Sequence, residues 1–333
     1  MASLAIKVMK IKFAACIGAA VVLLVLPVLP IVAATPYPAR PIRMIVPFSP
    51  GGTSDTLARV LGQKLTEAWG QQIVVDTRPG ASGIIGTELA ARAPADGYTL
   101  LHGNLSQFAT NPFLYKLTYD TFRDFIALSQ VGAAPQLMVI HPGVPAKSVQ
   151  ELIQLAHAKP GTLNFGSGGS GTLAYLGGEM FKMRVGVNIV HVPYKGTVLA
   201  LNDLLAGQIQ MLFSDMPIAL PHWKSGRLRA LAVTGAQRTP LLPSLPTVAE
   251  SGVPGYSLDN WWGILAPARV SSDIVVKLNA EIVRIHGLAD VKDRYAALGV
   301  EAVSNSPEQF ARYIKAEADK LSKVIRESGA KVD

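Results

Sequence analysis

The sequence predicts an α/β protein made of two doubly wound lobes, each a parallel sheet with helices on its faces. Residues 44–101 alternate short apolar runs with amphipathic runs in the order β-α-β-α-β, which implies a parallel sheet covered by helices. A second set of the same kind starts near residue 135, and the chain ends in a long amphipathic helix that needs a sheet to pack on. We therefore expect the tail to return to the first lobe, so that two crossings form a hinge beside a cleft.

The first 34 residues have the pattern of a secretory signal peptide. Three lysines precede an almost unbroken apolar run over residues 13–32, and small residues offer a cleavage site near Ala34. The run is almost long enough to span a membrane, so a retained anchor is the alternative. Pro27 and Pro30 near its end favour cleavage. The sequence therefore predicts an exported protein whose mature chain starts near residue 35.

Composition excludes several classes of chemistry. Cys16 is the only cysteine and lies in the leader, so a mature chain would have neither disulfides nor a catalytic thiol. The formal net charge is +8, and removing the three leader lysines leaves +5 (8 − 3). That excess suits an anionic partner, but it is too small and too dispersed to predict nucleic-acid binding.

The connection between the first predicted strand and the first predicted helix favours an anion site. The strand, residues 44–46, ends at a glycine turn, residues 47–52, and residues 53–55 then offer capping side chains for a helix over 56–69. A strand, a glycine turn and a helix N-terminus leave several backbone N–H groups aimed at one place. The alternative is a plain strand–helix connection.

The rest of the first set brings a second segment to the same edge of the sheet. Its elements are a strand at 73–75, a turn at 79–83, a helix at 84–93 and a strand at 98–101. Parallel sheets bind ligands beyond the carboxyl ends of their strands. The segment 102–106, which contains Asn104, is therefore expected to lie near the first turn.

The second set again alternates strands and helices. The predicted strands cover residues 137–140, 163–165, 189–192, 210–213 and 228–233, and the predicted helices cover 149–158, the residues after Thr172 to about Met183, and 198–205. The turns at 166–172 and 194–197 follow strand ends, and so does Asp215.

The tail supplies the expected return crossing. Residues 239–254 shift in composition to Pro, Leu and Ser, which is typical of a long crossing segment. A strand at 261–266 and helices at 272–285 and 307–328 follow. We predict lobe 1 as residues 35–134 and 256–333 and lobe 2 as residues 135–255, with the return crossing within 236–258.

The glycines at 166, 168 and 171 formally satisfy the dinucleotide motif G-x-G-x-x-G. That motif also requires an acidic residue about twenty positions further on, and residues 191–195 contain none. Dinucleotide binding is therefore disfavoured. The same stretch still offers a second anion site, with the hydroxyls of Ser167, Ser170 and Thr172 beside backbone N–H groups.

Motifs of enzymes and metal sites are missing from the sequence. It contains no G-x-S-x-G, no H-E-x-x-H and no P-loop, and its six histidines are scattered. No cofactor or metal is therefore predicted. Asp55 and Asp215 could form an acid pair across the cleft, but we interpret Asp55 as a helix cap.

Three further residues have two interpretations each. Lys195 is either a point charge for an anion or a solvated loop lysine, and the sequence does not favour one of them. Trp261 and Trp262 are interpreted as core aromatics in preference to ligand contacts.

Several motifs, in the same order along the chain, resemble the tripartite tricarboxylate transporter substrate-binding proteins, known as the Bug or TctC family. The resemblance covers residue 37 to the C-terminus. It rests on YPARPIRMIVPFSPGG (37–52), RPGASG (78–83), DGYTL (96–100), HVPYKG (191–196), GRLRALAV (226–233) and LPTVAE (245–250).

The resemblance implies a periplasmic type II binding-protein fold, in which two lobes close on a small carboxylate. In that family one loop from each lobe grips the ligand through backbone amides, hydroxyls and bridging waters. Tyr175 stands where the family often has a histidine, so the contacts of that position are open. The implied binding residues are Phe48, Ser49, Gly51, Gly52, Thr53, Asp55, Asn104, Ser167, Gly168, Gly169, Ser170, Gly171, Thr172, Tyr194, Lys195, Gly196, Thr197 and Asp215.

The resemblance also implies partners. The expected function is that of a monomeric, non-enzymatic solute receptor in the periplasm, which delivers a di-/tricarboxylate or an aromatic acid to membrane transporter subunits. One alternative is a sensor that presents its ligand to a signalling partner such as a sensor kinase. The other is an exported enzyme that acts on a carboxylate through Asp55 or Asp215.

Overall fold

The computed structural model describes residues 37–331, and the strands of this part form one mixed sheet. The strands are β1 (Ile42–Val46), β2 (Ile73–Thr77), β3 (Thr99–Asn104), β4 (Phe125–Ile140), β5 (Asn164–Ser167), β6 (Val190–Pro193), β7 (Met211–Asp215), β8 (Arg229–Val233) and β9 (Asp259–Pro267). They are ordered β2-β1-β3-β9-β4-β7-β5-β6, and β8 also pairs with β4. The predicted signal peptide lies outside the described residues.

Helices cover the sheet. They are α1 (Thr53–Trp69), α2 (Ile84–Ala91), α3 (Asn111–Leu114), α4 (Val149–Ala158), α5 (Leu173–Val185), α6 (Thr197–Leu205), α7 (Met216–Lys224), α8 (Ser272–Gly287), α9 (Ala289–Ala297) and α10 (Pro307–Ser328). A 3-10 turn (Ala81–Gly83) precedes α2, and a π-helical turn (Ser106–Thr110) precedes α3. The predicted bounds of α4 and α10 agree with the structure.

Two groups of parallel strands confirm the predicted β-α-β pattern. β1 pairs in parallel with β2 and β3, and β5 pairs in parallel with β6 and β7. Because parallel strands end at a common edge, the loops that follow the strands of one group lie together. This edge carries the candidate residues.

Strand β4 belongs to both halves of the sheet. Its residues 125–135 pair antiparallel with β9, whereas residues 136–140 pair antiparallel with β7, joined from Leu137 by β8. We call β2, β1, β3, β9 and the first part of β4 the first sheet. The second part of β4 with β7, β8, β5 and β6 is the second sheet. The lobe boundaries given above stay a prediction.

The sequence analysis missed the first part of β4 and the helices α7 and α9. Register shifts between Ala127 and Ser129, and between Gln130 and Gly132, mark irregularities that interrupt the alternation typical of a strand. Helix α7 carries Pro221 inside it, a residue typical of helix ends and loops. Helix α9 buries only two side chains, so its apolar period is weak.

The aromatic core packs the C-terminal helix onto the first sheet. Trp261 on β9 is fully buried, and the ring of Phe310 on α10 meets it edge-on with 5.4 Å between centroids. Phe108 lies 6.1 Å from the same indole. Trp262 is also fully buried. The interpretation of both tryptophans as core residues is therefore confirmed.

Candidate functional site

The first loop, residues 47–52, connects β1 to α1. Helix α1 begins at Thr53, three residues earlier than predicted, so residues 53–55 form its first turn. Gly52 is the N-cap residue and has no side chain to cap the helix. Because a helix cannot pair its first N–H groups internally, these groups remain available to a ligand.

Asp55 does not cap α1, so the predicted cap is wrong. Its Oδ2 accepts the backbone N–H of Gly51 at 2.9 Å, and its Oδ1 pairs with Arg59 at 2.9 Å. Gly51 has φ +75°, a conformation that glycine adopts without a steric cost. The carboxylate therefore holds the loop from inside the first turn of the helix.

The second loop, residues 168–172, connects β5 to α5 and uses its own hydroxyls to hold its shape. Ser167 Oγ accepts the N–H of Gly169 at 3.0 Å and lies 2.7 Å from Nε2 of His191. Thr172 Oγ1 donates to the carbonyl of Gly169 at 2.8 Å and caps α5 by accepting the N–H of Tyr175. The hydroxyls of Ser167 and Thr172 are thus engaged within the lobe.

A third turn, residues 194–196, leads from β6 into α6. Gly196 is the N-cap residue of α6, with φ +148°. The hydroxyl of Tyr194 donates to Asp203 Oδ2 at 2.7 Å, so it is bound to helix α6, which follows the turn. Lys195 is exposed. Its backbone carbonyl accepts a hydrogen bond from Ser49 Oγ at 3.2 Å. This placement favours the interpretation of Lys195 as a loop lysine.

The starts of four helices meet at one small cavity, which we call the cleft cavity. Its lining contains the N-cap and first two residues of α1, α5 and α6, together with Asp215 and Ile218 at the start of α7. Each helix start carries a partial positive charge of about half an elementary charge. No lysine or arginine is among the described residues that line the cavity. The arrangement is suited to an anion held by backbone N–H groups.

Two buried amides and the partly buried carboxylate of Asp215 complete the lining. Asp215 Oδ1 accepts a hydrogen bond from Gln136 Nε2 at 2.9 Å and another from Asn260 Nδ2 at 3.0 Å. Burial raises the pKa of Asp215 above its ordinary value, and the two amide donors act in the opposite direction. Thr53 also favours the ionised carboxylate, although its hydroxyl makes no hydrogen bond of ordinary geometry.

The loops of the two sheets touch each other above the cavity. Besides the bond from Ser49 to Lys195, Thr110 Oγ1 donates to the carbonyl of Gly171. The space left in the cavity is about 40 Å³, which is room for a few water molecules. The cleft is therefore closed in this structure.

The structure brings half of the predicted binding residues to the cleft cavity. These are Phe48, Ser49, Gly52, Thr53, Asn104, Thr172, Gly196, Thr197 and Asp215. A neighbouring pocket of about 150 Å³, which shares Phe48, Ser49 and Gly196, is lined by Gly168, Gly169, Ser170, Tyr194 and Lys195. Gly51, Asp55, Ser167 and Gly171 line neither pocket.

Sequence reasoning missed several residues that line the cleft cavity. These are Ser54, Ser106, Gln136, Leu173, Ala174, Val198, Ile218 and Asn260. Gln136 and Asn260 each stand directly before an apolar run, whereas most of the predicted binding residues follow strands. Both lie where β4 and β9 pass between the sheets, and polar residues at such a crossing were the signal that could have found them.

Tyr175, the residue that departs from the family pattern, is turned away from both pockets. Its hydroxyl donates to the carbonyl of Lys331 at 2.6 Å and accepts the N–H of the same residue at 2.9 Å. Its ring lies 4.7 Å from that of His191, centroid to centroid. The residue therefore ties the C-terminal segment to α5.

A larger groove lies elsewhere, with a volume of about 840 Å³, lined by residues of β4, α9 and the segment 235–241. It lacks the converging helix starts. Among residues 37–331 there is no cluster of three or more metal-ligating side chains, and no helix there is long and apolar enough to cross a membrane.

The fold and the cleft together define the class of protein. Two α/β lobes joined by β4 and β9, with a ligand cleft between them, make the type II periplasmic binding-protein fold. Residues 57–330 match the tripartite tricarboxylate transporter family receptor. The chain belongs to this family, which confirms the resemblance seen in the sequence.

Relatives and solved structures agree with this assignment. The chain is 39% identical to BugT of Bordetella pertussis over 303 residues, 90% of this chain and 93% of that protein. Rpa4515 of R. palustris, solved with adipate, is 36% identical with a TM-score of 0.87, over 89% of this chain and 99% of that chain. MatC of Rhodopseudomonas palustris, solved with bound malate, is 29% identical with a TM-score of 0.83, over 87% and 100%.

Proposed function

We propose that this protein is a periplasmic solute receptor that captures a small carboxylate in the cleft cavity and delivers it to a tripartite tricarboxylate-type membrane transporter. The observation that carries the proposal is the convergence of four helix starts on one buried cavity. Adipate in Rpa4515 and malate in MatC, two proteins of the same fold, are consistent with a carboxylate.

Backbone groups supply the attraction for the anion. A charge near a helix N-terminus is stabilised by roughly 0.3–1 kcal/mol at an exposed site and by more when water is excluded. The N–H groups at the starts of α1, α5 and α6 are fixed by the fold, so little ordering is needed when the ligand binds. Bridging waters and the hydroxyls at the cavity complete the contacts.

Closure links capture to delivery. A solute enters only when the contact between Ser49 and Lys195 is broken, because the closed cavity holds only a few water molecules. Closing over the ligand then creates the surface to which the membrane partner binds. We expect a monomeric, exported receptor without a cofactor or enzymatic activity.

The test combines binding with turnover and transport. The leaderless protein is titrated with adipate, malate, citrate and benzoate, and the bound acid is then extracted and identified. We expect binding of one molecule per chain, recovery of the acid unchanged, and uptake into proteoliposomes that requires both the receptor and the transporter subunits. Conversion of the acid into a product would contradict the receptor function, and uptake without the receptor would contradict the delivery step.

A further inference from the structure

The polar wall of the cleft cavity contains hydrogen-bond acceptors that no protein group satisfies. Gln136 is 3% exposed, and its Oε1 is buried without a hydrogen-bond partner. The Oδ1 atom of Asp215 accepts both amide N–H groups, whereas no described residue donates to Oδ2 with ordinary geometry and the residue is only partly buried at the cavity. An acceptor left unpaired away from water is costly.

The orientations of the two amides are set by their neighbours. Asn260 donates from Nδ2 to Asp215, and its Oδ1 accepts the backbone N–H of Trp261 at 3.0 Å. Gln136 must present Nε2 to the same carboxylate, because turning the amide over would place two oxygens against each other. The Oε1 atom of Gln136 therefore points away from the carboxylate of Asp215 and has no hydrogen-bond partner. Neither amide donates a second hydrogen bond to another described residue.

The hydroxyl of Thr53 lies at the same wall and is also buried without a partner. It can donate to one acceptor, but it cannot satisfy both Gln136 Oε1 and Asp215 Oδ2. At least one acceptor in the lining therefore needs a donor that the protein does not supply. The helix starts at the same cavity present the opposite chemistry, since they offer N–H donors to an anion.

We infer that the solute carries a hydrogen-bond donor, a hydroxyl or an ammonium group, in addition to its carboxylate, and that Asp215 is the acceptor that selects for it. The inference rests on the proposed function and narrows its ligand class to hydroxy and amino acids. A plain alkyl acid offers these acceptors no donor, so they depend on water alone, and the second carboxylate of a dicarboxylate meets an acceptor instead of a donor. Sites built to pair a hydroxyl or amino group reject analogues that lack it.

The test uses six acids with the same number of carbon atoms. They are butyrate, succinate, 2-hydroxybutyrate, 4-hydroxybutyrate, 2-aminobutyrate and 4-aminobutyrate, each titrated into the leaderless protein. We expect at least one hydroxy or amino acid to bind about tenfold or more tightly than both butyrate and succinate. Comparing the affinities of the 2- and 4-substituted acids shows which carbon atom of the solute must carry the donor.

Asp215→Asn tests the selecting residue directly. The variant keeps the shape, and its amide oxygen can still accept both hydrogen bonds that Oδ1 accepts, but it offers an N–H group where the carboxylate offered the acceptor Oδ2. We expect the preference for the hydroxy or amino acid over succinate to fall about tenfold or more. The matched control is Asp259→Asn, which changes a half-buried carboxylate outside the cleft cavity and should leave the preference unchanged.

The outcomes separate this inference from the proposed function. Equal or tighter binding of butyrate or succinate by the wild type would contradict the inference while the receptor function stands, and so would an unchanged preference in a folded Asp215→Asn variant. If none of the six acids binds, the inference is also contradicted. The proposed function fails only if adipate, malate, citrate and benzoate are not bound either.

Discussion

Ser49 Oγ donates a hydrogen bond to the backbone carbonyl of Lys195 across 3.2 Å, and this bond joins the loop after β1 to the turn after β6. The two residues lie 146 positions apart in the chain. Their contact closes the cleft above the helix starts. Closure therefore depends on how closely the backbones of these two segments approach each other.

Gly196→Ala should prevent full closure. A Cβ atom at this position would collide with the side chain of Ser49, and φ is +148°. We expect the affinity for the carboxylate ligand to fall about tenfold or more, with a loss of roughly 1–3 kcal/mol in the free energy of unfolding. Titration calorimetry and urea denaturation measure the two effects.

The matched control for this variant is Gly226→Ala. Gly226 also has a positive φ, +75°, but no atom lies within 4 Å of its added Cβ. The Gly226→Ala variant should lose a similar amount of free energy of unfolding as Gly196→Ala, and it should bind the ligand with unchanged affinity. Equal affinities of Gly196→Ala and the wild type would show that closure does not require this approach.

Gly52→Val should abolish binding while the protein remains folded. Gly52 has φ −75° and ψ 171°, which a β-branched residue adopts readily, and its Cβ would lie 3.2 Å from the carbonyl of Ser49. The larger side chain would stand at the start of α1, where the backbone must approach the ligand. Gly287→Val, with no atom within 4 Å of the added Cβ, is the control. Unchanged affinity in a folded Gly52→Val protein would remove the first loop from the site.

His102 should make the protein less stable in mild acid. It is fully buried on β3, neither ring nitrogen has a partner, and burial lowers its pKa to about 4. Because the unfolded chain takes up the proton near pH 6.5 and the folded chain only near pH 4, this contribution to stability is complete above pH 6.5. It is lost as the pH falls towards 4. The loss is on the order of 3 kcal/mol.

His102→Met tests this effect, since methionine adapts to irregular apolar sites. The decrease in the free energy of unfolding between pH 7 and pH 4.5 should be smaller than in the wild type by on the order of 2–3 kcal/mol. His157→Gln, which replaces an exposed histidine, should leave that decrease as it is. An unchanged decrease in His102→Met would assign the acid sensitivity to other groups.

Tyr175→Phe should lower stability without changing ligand affinity. The hydroxyl donates to the carbonyl of Lys331 and accepts its N–H, and removing a buried partner of this kind costs roughly 1–3 kcal/mol. The measurement pairs urea denaturation with calorimetric titration. A large change in affinity would place Tyr175 at the ligand after all, in the role of the histidine that many family members carry.

The first loop illustrates how far the sequence predicts this site. The apolar strand, the glycine turn and the helix that follows were all recognisable from residues 44–69, because each depends on local preferences. The helix start was placed too late, since capping residues and first-turn residues are of the same types. Asp55 shows the difference, because it lies in the first turn of the helix and its carboxylate accepts the N–H of Gly51 in the preceding loop.

Gln136 and Asn260 show what local patterns do not reveal. Each is a polar residue beside an apolar run. Gln136 reaches Asp215 because the two residues stand opposite each other in the β4–β7 pair, and Asn260 reaches it from β9, which pairs with β4. Such contacts depend on the register of distant strands. Similarly, nothing near Tyr175 in the sequence indicates that residue 331 is its partner.

The most direct measurement is the melting temperature of the leaderless protein in the presence of mono-, di- and tricarboxylates, hydroxy and amino acids, aromatic acids and neutral analogues. A ligand that binds only the folded state at a hundredfold excess over its Kd stabilises it by about 2.7 kcal/mol. We expect a selective rise with one class of carboxylate, and no rise for the same acid with Gly52→Val. A neutral analogue that stabilises the protein as strongly as the acid would contradict an anion site built from helix starts.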